Sequence, residues 1–235
     1  MRDYKHFLFF SSSISDKNAE LDLEESRHAI KVLRLSIGDR FQVTNGNGQI
    51  LICELVAVTD SIARGSVLEK ITIPPVKPSL HCFVGLPEKD SFESIVTDLT
   101  AMGVTAITPV ISEHCQKNWW EHKWEKHEER LRSKMIAAMK QSLYPRMPAL
   151  FQPQDISKIA GTISGPVLAA DWDGVKISEC DFDRSANINC FIGPPGGFSH
   201  HELTLFKEHK FHVVNIGTTR LRTELAAVVM CAKVC

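Results

Sequence analysis

Asn189-Cys190-Phe191-Ile192-Gly193-Pro194-Pro195-Gly196-Gly197-Phe198-Ser199 decides how the second half of this chain is read. An apolar run ends in a turn built from glycine and proline, and Ser199-x-x-Glu202 then opens a helix as a capping box. Outward from this stretch the same alternation continues. Leu80–Leu86, Val104–Ile111, Val167–Ala170 and Phe211–Ile216 read as strands. Ser91–Met102, Trp124–Gln141, Ser199–His209 and Glu224–Val234 read as helices. Strand–helix alternation predicts a mostly parallel α/β sheet. Ligands of such sheets sit beyond the carboxyl ends of the strands, where the 193–197 and 216–224 loops lie.

Upstream, Ile73-Pro74-Pro75-Val76-Lys77-Pro78 favours an extended connector. Before it, Phe41–Thr44 and Gln49–Val58 flank Asn45-Gly46-Asn47-Gly48, a hairpin signal, and Ile62–Ile73 reads as another strand. One helix over about 24–35 precedes them. The expected division is a small β-barrel over 1–73, a linker over 74–78 and an α/β domain over 79–235.

The 235 residues carry a net charge of −1, with 43% apolar and 23% charged residues. These values exclude global disorder and collagen-like or coiled-coil character. A general polyanion binder is more basic than this, so any nucleic-acid contact has to be a local patch. Near the C-terminus the longest apolar stretch, Leu225–Ala232, has eight residues, against the roughly 20 of a membrane span. Met1-Arg2-Asp3-Tyr4-Lys5-His6 leads into Phe7–Phe10, too short for a signal-peptide core. Seven cysteines without a Cys-x-x-Cys pair predict reduced thiols and a cytoplasmic protein.

Gly193, Gly196 and Gly197 permit close backbone approach and positive φ, and Pro194 and Pro195 stiffen the loop. Two readings are open: a tight strand-to-helix connection, or a rigid turn whose backbone reads a flat base edge. The loop is neither Gly-x-Gly-x-x-Gly nor a P-loop. Arg220, Arg222 and Glu224 precede or open an apolar helix, with Thr223 as N-cap. They either stabilise charge on a substrate or form an ion-pair cluster. Arg27, Lys31 and Arg34, at i, i+4 and i+7, share a helix face, with Ile30 and Leu33 turned inward. Lys123, Lys126, Arg130 and Lys134 form a second stripe near Trp119, Trp120 and Trp124, diluted by Glu121, Glu125, Glu128 and Glu129. Each stripe is either an RNA contact or a solvated face. His200-His201 matches no zinc spacing and reads as an exposed helix start, and Cys231 and Cys235 read as packing residues.

Four segments resemble one family. They are His28-Ala-Ile-Lys-Val-Leu-Arg-Leu35 with Gly38-Asp39, Gly103–Cys115, Ile192–Ser199 and Ile216–Ala226. In this order they resemble the RsmE family of 16S ribosomal RNA (uracil-N3) methyltransferases, in the SPOUT superfamily. The resemblance implies a PUA-like RNA-binding barrel, an α/β methyltransferase domain with a deep trefoil knot, and a homodimer. It implies S-adenosyl-L-methionine, held by Ala170, Ile192, Gly193, Pro194, Gly196, Gly197, Ile216, Gly217, Leu221 and Arg222, with no metal and no membrane. The substrate it implies is 16S ribosomal RNA, within the small ribosomal subunit.

Several positions depart from the family pattern. Pro195 stands where Glu is usual, Arg220 and Leu225 replace Ile and Thr, and Ala101 replaces Glu. Lys140-Gln141-Ser142 replaces Glu-Gln-Ser, and Tyr144 occupies an Arg position, with Arg146 two residues on. Arg222 and Glu224 remain, and favour an active enzyme in which Arg222 stabilises the uracil anion and Glu224 orients it through a salt bridge. At Gly196 a close approach of adenosine and a positive φ are expected. Two other readings stay open: a non-catalytic RNA-binding protein that kept the fold, and a methyltransferase for another RNA atom.

Overall fold

The computed structural model describes residues 7–116, 119–121 and 124–235. Its contacts group Met1–Pro75 with Ile136–Met147 in one unit, and Val76–Met135 with Pro148–Cys235 in another.

In the first unit, β1 (Leu8–Phe10), β2 (Ser13–Ile14) and β3 (Asn18–Glu20) precede a short helix α1 (Leu23–Arg27) and a π-helical turn, His28–Val32. β4 (Arg40–Thr44), β5 (Gln49–Thr59) and β6 (Ile62–Thr72) come after them. The sheet order is β1-β4-β5-β6-β3-β2. β1 and β4 are parallel and the other pairs antiparallel. β1 and β2 remain its edges, so the expected barrel is a half-barrel. Asn45–Gly48 turns β4 into β5 as its sequence predicts, pairing Val43 with Leu51. Asp60 and Ser61, with φ of 53° and 65°, make the two-residue turn into β6. Phe9, Phe41, Leu51 and Leu55 fill the core, with Phe9 and Phe41 edge to face at 5.8 Å.

The helix expected over 24–35 forms over 23–32, three residues short at its end and only half of it α-helical. α1 caps on Asp22, whose carboxylate accepts the Glu25 N–H, and stops at Arg27. The chain then widens into the π turn and ends with Leu35 N–H bonded to the Ala29 carbonyl and Arg34 at φ 55°. That left-handed residue closes the helix as glycine commonly does. Arg27, Lys31 and Arg34 are all exposed, but Arg34 lies past the helix and shares no helical face with the other two.

Residues 136–147 meet the Asn45–Gly48 turn. Met147 N–H donates to the Gly46 carbonyl at 3.0 Å, and the Arg146 guanidinium grips the Ile73 carbonyl at 2.7 and 3.0 Å. Lys140 pairs with the buried carboxylate of Glu25.

The second unit holds β7 (Leu80–Gly85), α2 (Lys89–Ala101), β8 (Ala106–Ile111) and the first turns of α3 (Trp124–Ser142). β9 (Ala149–Leu150), β10 (Gln154–Asp155), α4 (Ile156–Ile159), β11 (Val167–Lys176) and β12 (Ile188–Ile192) come next. α5 (His200–Glu208), β13 (His212–Asn215) and α6 (Thr223–Val234) complete it. All seven strands are parallel, in the order β10-β8-β7-β12-β11-β13, with β9 beside β8. Alternation along β7 and β12 sorts the two faces. Phe83 stacks on Phe191 at 4.5 Å within a core that includes Phe198, Phe206 and Phe211. On the opposite face Cys82 meets Cys231 of α6 at 3.5 Å. The chain runs from β7 to β8 on one side, while β12 lies on the other, so the sheet's switch point falls between β7 and β12.

Candidate active site at the carboxyl ends of the strands

β7 and β12 finish side by side at Gly85 and Ile192. Gly85 has no room for a side chain: a Cβ there would stand 2.5 Å from Pro194 Cδ. The 193–197 loop thus rests on the end of β7, and Gly197 N–H closes it on the Pro194 carbonyl at 2.8 Å. The positive φ of the loop belongs to Gly197, at 73°, and not to Gly196. Gly196 meets a different constraint, since a Cβ there would stand 2.7 Å from His114 Cβ. The expectation of a positive φ at Gly196 is corrected accordingly. A His114 ring nitrogen lies 3.2 Å from the Gly197 carbonyl, so this histidine braces the loop.

A buried glutamate anchors the helix after the loop. Glu202 is 2% exposed and forms the expected capping box with Ser199. One carboxylate oxygen accepts Ser199 N–H at 2.7 Å, and the other accepts Glu113 N–H at 2.9 Å. The start of α5 is thereby tied to the segment after β8. Two charge-assisted bonds of this kind contribute roughly 1.5–3 kcal/mol each.

The second loop is built on Asn215. Its amide donates to the Trp172 carbonyl at 2.7 Å, and its oxygen accepts Gly217 N–H at 2.9 Å. Between these loops lies a cavity of about 430 Å³, walled by the ends of β11, β12 and β13 and the start of α6. Ala170, Ile192, Gly193, Pro194, Gly196, Gly197, Ile216, Gly217 and Leu221 line it, which is every residue assigned to the cofactor by resemblance except Arg222.

Arg222 stands between two wall residues, Leu221 and Thr223, and is itself exposed. It is the N-cap of α6, the place expected for Thr223, and its side chain caps nothing. The expected Arg222–Glu224 salt bridge does not form. Glu224 accepts a hydrogen bond from Ser91, which holds its carboxyl below the usual range, and Arg222 contributes only a weaker, longer-range charge. Arg27, Lys31 and Arg34 belong to the first unit.

Asp171, Trp172, Asp173, Asn215 and Thr219 line the cavity without having been singled out in the sequence, and Arg220, read there as one of two arginines for substrate charge, lines it as well. β11 is expected to end at Ala170 but bulges over Asp171–Gly174, since Ala170 and Val175 both pair with Val214.

Of the second basic stripe, Arg130 pairs with the buried Glu93 at 2.5 Å and Lys134 stands 4.0 Å from it. Lys123 lies outside the described residues. His200 and His201 are exposed as expected. Cys231 is buried, whereas Cys235 is exposed and packs no core.

The RNA methyltransferase domain family matches residues 75–235, and the RNA methyltransferase PUA domain matches residues 21–67. The ribosomal RNA small subunit methyltransferase E of Mycobacterium tuberculosis is 25% identical over 231 residues, covering 94% of this chain and 88% of that protein. The protein of that name from Aquifex aeolicus is 28% identical over 207 residues, with 87% and 88% covered. Among solved structures, the ribosomal RNA small subunit methyltransferase E of Neisseria gonorrhoeae, bound to S-adenosyl methionine, is similar with a TM-score of 0.85. It is 23% identical, over 96% of this chain and 95% of that one. A probable rRNA-methyltransferase from Porphyromonas gingivalis gives 0.86 at 24% identity, over 96% and 95%.

Proposed function

The chain belongs to the RNA methyltransferase family, and from that premise we propose that it methylates N3 of one uridine in 16S ribosomal RNA, with S-adenosylmethionine as methyl donor. The observation that carries this reading is the cavity between the 193–197 and 216–221 loops at the sheet's switch point. Its size lies within the roughly 300–1,000 Å³ of small-ligand pockets. Its walls combine apolar side chains, Ile192, Ile216 and Leu221, with the backbone of two tight turns. That composition fits an adenosine, whose base needs apolar faces and polar edges together. The cofactor supplies an electrophilic methyl group on a sulfonium.

The protein's part is to hold and charge-stabilise the acceptor. Uracil N3 is weakly nucleophilic until its proton leaves, and the charge then spreads over O2, N3 and O4. The exposed guanidinium of Arg222, one residue beyond the wall, stabilises that charge with its planar donors. Glu224, held by Ser91, sets the first turn of α6 and so the position of Arg222. Loop rigidity from His114, Glu202 and Asn215 keeps the reacting partners aligned.

The half-barrel offers Arg27, Lys31 and Arg34 to the RNA backbone. The reading includes the small ribosomal subunit as substrate, a cytoplasmic location and a homodimer. Among the described residues no helix is long and apolar enough to cross a membrane. Leu225, 51% exposed on an otherwise apolar helix, supports a second copy covering α6. The trefoil knot belongs to the same reading. It is supported by the course of α6, which leaves the edge strand β13 and returns to pack on α2, β7 and β12.

Two measurements test the proposal. Calorimetry should show S-adenosylmethionine binding without RNA. Mass spectrometry of ribosomal RNA from a deletion strain should show loss of one N3-methyluridine, regained when the gene is restored. Unchanged ribosomal RNA would remove the activity, and cofactor binding without methylation would favour the non-catalytic reading.

A further inference from the structure

Trp172 lines the cavity and is nevertheless 51% exposed. Among the described residues its indole stacks on no ring and donates to no acceptor. An aromatic side chain buries roughly 150–250 Å² when it finds a partner, so an uncovered indole at the mouth of a site is positioned for one.

The indole is carried on a fixed rim. Asp171 accepts the Asp173 N–H at 3.0 Å, turning the chain around Trp172. Asn215 ties the Trp172 carbonyl to the Gly217 turn, so the aromatic platform and the opposite wall share one side-chain link. A platform held in this way loses little freedom on binding.

The surrounding charges select the occupant. Asp171 and Asp173 flank the indole and repel phosphate, so a nucleic-acid backbone stays away from the indole itself and is left to the rim beside the 193–197 loop, where Arg220 lies. An uncharged base does not suffer that repulsion. Arg220, on the same cavity rim, is exposed and pairs with no carboxylate among the described residues. A second copy of the chain suits the rim less well, because the cores of protein interfaces are depleted in aspartate.

We propose that Trp172 is the stacking platform for the extruded base of the RNA substrate, and that Arg220 takes a neighbouring phosphate. The inference rests on the RNA-methylation reading above and assigns that site's base-recognition residue.

The test uses the full chain with small ribosomal subunits from the deletion strain. RNA affinity is measured by filter retention, cofactor affinity by calorimetry, and methyl transfer in parallel. Trp172→Ala should weaken RNA binding by roughly 5- to 150-fold, the range for loss of one base–aromatic stack. Cofactor affinity should stay within about twofold, and Trp172→Phe should recover most of the RNA affinity. Arg220→Ala should lower the slope of log affinity against log salt by roughly 0.7–0.9. A cofactor affinity that falls with Trp172→Ala would overturn the inference and move the indole to the cofactor. Dissociation of a dimer in sedimentation, with RNA affinity intact, would overturn it in favour of a second copy. Because RNA binding is read apart from turnover, a wild type that binds subunits but methylates nothing removes the activity while still testing the platform.

Discussion

Gly196 and His114 approach each other so closely that a Cβ on the glycine would stand 2.7 Å from the Cβ of the histidine. Real Cβ atoms do not tolerate that distance, so loop or histidine has to move. Gly196→Ala should therefore weaken S-adenosylmethionine binding by about tenfold, and Gly196→Val by more, through displacement of the wall. His114→Gly in the Gly196→Ala background should cost less than the sum of the two single losses, because it removes the colliding atom together with the brace on Gly197. Calorimetry on the four proteins gives the coupling. Independent, additive losses would show that the contact does not set the loop.

This contact shows where the sequence is legible and where it is not. The largely buried strands β7, β8 and β12 announce themselves as apolar runs, and the Gly-Pro loop announces the turn between β12 and α5. The reason Gly196 must be glycine is not local. It lies on a histidine 82 positions earlier, by its number, brought there by the parallel sheet. The same holds for residues 136–147, whose partners are the 45–48 turn and Ile73. Asp171–Asp173 were missed because polar residues end the apolar pattern at Ala170, while pairing with β13 resumes at Val175. The helix expected over 24–35 forms but ends at Val32, and its second half is wound as a π-helix, for another reason. Its apolar and basic spacing persists through a π turn and a left-handed Arg34, which no periodicity marks.

His81 predicts a pH dependence. It stacks on Phe83 at 4.1 Å, its Nε2 lies 2.8 Å from Thr108 Oγ1, and burial pushes its pKa down from 6.5 to about 4. Between those values the unfolded imidazole takes a proton that the folded one refuses, so stability falls as pH drops from 6.5 towards 4. Above 6.5 both forms are neutral and the effect vanishes. The expected outcome is a melting temperature that drops by roughly 2–4 °C more between pH 7 and pH 5 in the wild type than in His81→Phe. Equal drops in thermal melts would remove His81 from the acid response.

Arg27 and Lys31 are exposed and make no ion pair among the described residues. They are therefore free to meet phosphate. Arg27→Glu with Lys31→Glu should lower RNA affinity, and each lost phosphate contact should reduce the salt slope by roughly 0.7–0.9. Cofactor affinity should be unchanged, since every residue lining the cavity belongs to the other unit. Identical affinity and slope in wild type and variant would leave this surface merely solvated.

Arg222 separates catalysis from structure most sharply. Read from sequence, it could be an ion-pair residue at a helix start, and its removal would then lower the melting temperature. The structure takes that role away. Glu224 is satisfied by Ser91, and the Arg222 side chain is exposed and caps nothing. Arg222→Ala should accordingly leave the thermal melt within about 1 °C, the scale of a surface change far from any such feature. If the guanidinium stabilises the charge that develops on uracil, the same variant should lower the single-turnover methyl-transfer rate by about 10²–10³-fold. RNA and cofactor affinities should change far less. Arg222→Lys should recover part of the rate, because an ammonium supplies charge without the planar pair of donors. Glu224→Gln should behave differently again. It weakens the acceptor for Ser91 and shifts the first turn of α6, so melting temperature and rate should fall together. A normal chemical rate in Arg222→Ala, at saturating RNA and cofactor, would take Arg222 off the catalytic list. It would leave Arg220, the arginine that lines the cavity itself, as the cation to test next.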